Sequence, residues 1–120
     1  MEIKPRYEGP PIVDVEDGGD CTAAFVRQRE RLAGTLATLD EGEWAAPSRC
    51  ERWTVQDVVS HRVTVNQFWR YSIVSGLAGE PTQLLVGFDP KATPAALVEA
   101  AGTPAPAETL AQLVDASAAL

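Results

Sequence analysis

Apolar residues recur at helical spacing in three stretches of this chain, and no strand-like stretch has a pairing partner. Behind Asp20, the residues Phe25, Leu32, Leu36 and Leu39 share one face, with arginines and Glu30 between them. That pattern predicts a helix from Asp20, as N-cap, to about Leu39. A second stripe runs through Val55, Val58, Val59, Val65, Phe68, Trp69 and Ile73 behind Thr54, an N-cap residue. Asp57, three positions on, can reach back to the cap amide as a shorter form of the capping box. A third helix is expected from near Pro106, carrying Leu110, Leu113, Val114 and Leu120.

The intervening segments are punctuation. "DEGEWAAPS" (40–48) reads as an acidic, glycine-containing turn in which Trp44 covers the end of a bundle. "GLAGEP" (76–81) stops the second helix, and "TQLLVGFDPKA" reads as a short helical turn or a covering loop. Thr93 before Pro94 predicts the cap and first position of a short helix ending near Ala101. Residues 1–19 hold three prolines and three glycines without a helical period, and read as an extended arm in which "IVDV" can form an edge strand. The economical architecture is all-α: an antiparallel helical bundle over residues 20–120, one domain, preceded by the arm 1–19.

Composition narrows the function classes. A net charge of −7 argues against nucleic-acid and anionic-membrane partners, which require a basic stripe. Arg27, Arg29 and Arg31 alternate and cannot share one helix face. No apolar run approaches the ~20 residues that span a bilayer. Two cysteines, Cys21 and Cys50, make no disulfide framework, and with no secretory signal the default compartment is a reducing cytoplasm. Neither has a local partner motif, which leaves a cysteine-based redox protein little support.

The chemistry therefore centres on the one histidine. His61 lies at helical spacing from Val58, Val65 and Phe68, with Asp57 four residues upstream. One reading makes it a helix-borne metal ligand whose second ring nitrogen is oriented by Asp57. The other makes it a half-buried polar residue hydrogen-bonded to Asp57 or to a carbonyl. Spacing favours the second, because a catalytic zinc takes about three protein ligands and one imidazole with scattered carboxylates does not supply them.

The run "LDEGEWAAPSRCERWTVQDVVSH" resembles the N-terminal domain of mycothiol-dependent maleylpyruvate isomerases, within the DinB-like metal-binding superfamily. Leu39, Trp44, Pro47, Ser48, Cys50, Trp53, Thr54, Val55, Asp57, Val58, Val59 and His61 match the family run. "RYEGPPIV" and "GLAGEPTQLLVGFDP" are similar to an actinobacterial branch of the group, so the resemblance covers nearly the whole chain. It implies a DinB-like four-helix bundle, a divalent metal, usually zinc, and a small thiol cofactor, mycothiol. His61 corresponds to one of three metal ligands. In such enzymes a metal lowers a thiol's pKa, and reversible thiolate addition to a conjugated double bond permits cis–trans isomerisation.

Several positions depart from the family. Its other two ligands, a Glu or His and a His four residues later, belong to its fourth helix, whereas this sequence runs only into the third. Arg52 replaces a glycine at a turn that needs positive φ, and Arg62 replaces a core-facing leucine. Trp53 is expected as a core anchor and Cys50 as a small buried hydrophobe. Two readings follow. In one, the chain is a metal-binding, thiol-dependent isomerase or transferase domain acting on a small molecule, inactive alone because its metal site is incomplete and must be completed by missing C-terminal sequence or another chain. In the other, it is a non-catalytic helical module whose exposed seam is covered most simply by a second copy across a two-fold axis, a homodimer.

Overall fold

The computed structural model describes residues 20–120, and the expectation of an arm with an edge strand over 1–19 lies outside them. Their regular elements are all helices, joined by loops: α1 Thr22–Ala37, α2 Glu41–Trp44, α3 Val55–Leu77, α4 Ala92–Ala101 and α5 Pro106–Ala118. The three long helices fall where the periodicity puts them. Most of the corrections concern ends and faces.

Cys21, not Asp20, occupies the N-cap position of α1. Asp20 still serves the helix start, since its Oδ1 accepts from the Thr22 amide at 2.8 Å. The helix closes at Ala37, short of Leu39, where the Thr38 and Leu39 amides make tighter three-residue bonds to Thr35 and Leu36. The acidic turn after it is itself a single helical turn, α2. Asp40 caps it by accepting from Glu43 N at 2.8 Å, while the Glu43 carboxylate accepts from Asp40 N at 2.9 Å. That reciprocal box holds Trp44, 3 % exposed, in the core with Leu36, Val59, Val63, Leu113 and Ala116.

The α4 start also differs. Asp89 takes the capping work, its Oδ1 accepting from the Lys91 and Ala92 amides at 2.7 and 2.9 Å. Thr93 lies inside the helix and its hydroxyl accepts from Asp89 N, so Pro94 is the third helical residue, a place where a missing N–H costs nothing.

Helix α3 is the spine. Its buried face is Gln56, Val59, Ser60, Val63 and Asn66, and it packs chiefly on α5. Its two amides are matched: Gln56 Nε2 donates to Thr109 Oγ1 at 3.2 Å and to Pro104 O, and Asn66 Nδ2 donates to Ser117 Oγ at 3.1 Å. These bonds join early α3 to early α5 and mid α3 to late α5, so the two helices run in the same direction. Arg29 of α1 donates to Ser117 O near the end of α5, while Leu36 joins the cluster containing Leu113. Helix α1 is therefore antiparallel to α5 and α3, and α4 packs against α3.

Of the apolar stripe read from the sequence, only Val59 belongs to this buried face. Val55, Val58, Val65 and Phe68 are half-buried, and Trp69 and Ile73 are 50 % and 52 % exposed. At about 100° per residue the stripe sits roughly a quarter turn from the face that α5 covers. Of the third helix's stripe, Leu113 is buried and Leu110 partly so, but Val114 and Leu120 are nearly half exposed. The most apolar side of α3 is only partly covered.

Candidate functional site

The loop between α2 and α3 sets the geometry around His61. The Ser48 amide and hydroxyl both donate to Trp53 O, at 2.9 and 2.7 Å. Trp53 N donates to Cys50 O at 3.0 Å, and Val55 N donates to Ala46 O at 3.0 Å, which closes the loop on itself. Its tightest point is Arg52, whose φ of 70° is the left-handed conformation expected where the family carries glycine. The arginine takes that conformation at a backbone cost, while its side chain, exposed at the surface, meets no packing conflict.

This closure delivers Thr54 as N-cap of α3. Thr54 Oγ1 accepts from Asp57 N at 3.2 Å, and Asp57 Oδ2 accepts from Thr54 N and Thr54 Oγ1 at 2.8 and 2.9 Å. The predicted capping box is thus complete. Asp57 thus serves the cap through Oδ2, and among the described residues its carboxylate makes no hydrogen bond to the imidazole.

His61 lies on the half-buried side of α3, its ring against Trp53 with centroids 5.1 Å apart and planes tilted by 50°. Nδ1 is buried and has no hydrogen-bond partner among the described residues. The alternative of a satisfied polar histidine therefore does not hold for this nitrogen, which meets neither Asp57 nor a carbonyl. Trp53 is half-buried and packs on the imidazole rather than anchoring the core. Cys50, expected to be buried, is exposed at the loop surface, as is Cys21. Arg62, next to His61, is exposed, which is how a charge is tolerated where the family has leucine.

Among the described residues no three His, Cys, Asp or Glu side chains come close enough to hold a metal ion together. The donors present therefore do not fit the three-ligand site that the family's metal requires. His61 is a single donor with an unsatisfied nitrogen, and its nearest carboxylate in sequence, Asp57, gives one oxygen to the helix cap.

Sequence reasoning missed the polar ladder between α3 and α5 and the groove beside Arg62. The ladder had a signal: Gln56, Ser60, Val63 and Asn66 repeat at helical spacing as regularly as the apolar stripe. No helix of the described residues is long and apolar enough to cross a membrane. No curated protein and no solved structure matches the chain. The model of the mycothiol maleylpyruvate isomerase N-terminal domain matches residues 25–120, a span that holds all of α2 to α5, most of α1 and the whole His61 loop. The chain belongs to the mycothiol maleylpyruvate isomerase N-terminal domain family.

Proposed function

We propose that this chain is the His61-presenting domain of a thiol-dependent isomerase or transferase system, and that it does not turn over substrate unaided. The observation that carries the reading is the buried, unpartnered Nδ1 on the family's ligand residue. Leaving such an atom unsatisfied costs about 1–3 kcal/mol, so it marks a position awaiting a partner. Zinc and mycothiol are the cofactors that family membership suggests; further donors would have to come from outside the described residues. The chain's own contribution is positional: the Thr54–Asp57 box fixes the start of α3, and Trp53 fixes the imidazole plane.

The test is a thiol-dependent isomerisation assay on a maleyl-type substrate, with mycothiol and zinc supplied. No turnover above background is expected from the isolated polypeptide. Turnover that disappears in His61→Ala would overturn the proposed incompetence while leaving the histidine's role intact.

A second reading, a non-catalytic helical module, is favoured by the partly uncovered apolar side of α3 and by the exposed Phe25, Leu32 and Val114 on α1 and α5. Under it, His61 contributes only packing against Trp53.

A further inference from the structure

We propose that His61 of the metal-free chain is held as its Nε2–H tautomer, so that a metal ion gains the open nitrogen only when the ring's proton is relocated to the enclosed Nδ1. This rests on the reading of His61 as the presented residue and deepens it, and its test reads the ring's proton, not turnover.

The two ring nitrogens stand in different surroundings. Nδ1 is buried and meets no hydrogen-bond partner among the described residues. Nε2 is not buried in this way; also without a hydrogen bond among those residues, it keeps contact with solvent on a half-buried side chain. A neutral imidazole carries one proton, and what each nitrogen meets decides where that proton sits. On Nε2 the N–H donates to water, and Nδ1 keeps only a lone pair. On Nδ1 the N–H is sealed in without an acceptor, and orphaned buried N–H groups are rarer than under-satisfied acceptors. The proton therefore belongs on Nε2.

Because Nδ1 is enclosed by the chain's own atoms, no further segment, water or ion reaches it unless the ring turns. Trp53 opposes that turn, its ring lying 5.1 Å from the imidazole and tilted by 50°. The Trp53 backbone is itself pinned on both sides. The Ser48 amide and hydroxyl donate to Trp53 O, and Trp53 N donates to Cys50 O. Asp57, the carboxylate four residues back, accepts the Thr54 amide and hydroxyl on Oδ2 and nothing from the ring. Trp53 is thus a positioning residue: it keeps Nδ1 inward, away from any acceptor.

The chemical consequence is a mismatch with cations. An open N–H donates to an oxygen atom, whereas a divalent metal needs a lone pair. To offer one, Nε2 must release its proton to solvent and Nδ1 must take one up, which leaves the ring neutral and creates the sealed N–H. Histidine ligands ordinarily donate from their second nitrogen to a carboxylate, a carbonyl or water, and loss of that partner weakens metal binding about ten- to a hundredfold.

The experiment is long-range proton–nitrogen correlation of the isotope-labelled full chain at about pH 8.5, roughly two units above the ordinary imidazole pKa, where the ring is neutral. The chain's single histidine gives a single ring pattern, so its two nitrogens are read directly. A protonated ε nitrogen and a bare δ nitrogen are expected. In Trp53→Ala, with folding checked by helical circular dichroism, the ring can turn and Nδ1 meets water. The two tautomers should then mix, and zinc, measured against a competing chelator, should bind about tenfold more tightly than to the wild type. Trp53→Phe keeps a ring on the imidazole and should retain the wild-type pattern and affinity. A wild-type ring protonated at Nδ1, or already a mixture, would overturn the proposal. So would a folded Trp53→Ala chain in which either the tautomer or the zinc affinity is unchanged. Turnover lost in His61→Ala bears only on the chain's competence as an enzyme, so the two readings fail separately.

Discussion

Arg52 carries a cost that a single substitution can relieve. A non-glycine residue in the left-handed region costs about 1–2 kcal/mol, and glycine gives part of that back through its greater freedom when unfolded. Arg52→Gly should therefore raise stability by about 0.5–1 kcal/mol, read from the urea midpoint at constant m-value; a loss would mean that the arginine makes a compensating contact. His61 offers a second case. His61→Phe keeps a ring against Trp53 and removes the orphaned nitrogen, so denaturant stability should stay level or rise by about 1 kcal/mol. A drop of the same size would show that Nδ1 finds a partner in solution. The two residues differ in legibility. The strain at Arg52 could be expected from the glycine it replaces. The orphaned Nδ1 could not, because the neighbouring carboxylate looked equally able to cap the helix or to hold the ring, and only the loop's closure decides between them.

Helix starts illustrate what local chemistry specifies. Thr54 and Asp57 announce the beginning of α3 in sequence, and the structure completes both halves of their box. Thr54→Ala should cost about 1 kcal/mol, with the first turn of α3 losing amide-exchange protection before the rest. At α4 the cap came from Asp89, three residues ahead of the helix, because an aspartate carboxylate can bridge two free amides where a threonine hydroxyl answers one. The Ala92 and Lys91 amides hold the Asp89 carboxyl below its ordinary range. A carboxylate depressed by folding contributes fully above its unfolded pKa, near 4, and loses that contribution as pH falls through the lowered value. The Lys91 and Ala92 amide resonances should consequently shift only below about pH 4, and in Asp89→Asn they should not titrate. The buried face of α3 was harder to read. Periodicity reports where apolar residues cluster, but α5 packs on a stripe containing Gln56, Ser60 and Asn66, and the hydrogen bonds of Gln56 to Thr109 and Pro104 and of Asn66 to Ser117 offset the burial of those two amides. Helix existence was therefore legible, and helix orientation was not.

Across the whole molecule, a small core sits where α2, α3 and α5 meet the end of α1, and Trp44 is its largest member. Trp44→Ala should cost about 3–5 kcal/mol, a large share of the ~5–15 kcal/mol that holds a domain of this kind. Exposed apolar side chains remain along the groove, on the far half of α3, in the segment Leu84–Phe88 and at Leu97 of α4. All-α architecture and family membership could be read from the central motif. What the fold adds is coordination arithmetic: His61 stands without two further donors among the described residues. The most direct test of the account is a zinc-binding titration of the purified chain against a competing chromophoric chelator, run beside His61→Ala. The account predicts weak binding, well short of one equivalent per chain. One tightly held equivalent that vanishes in the variant would contradict it.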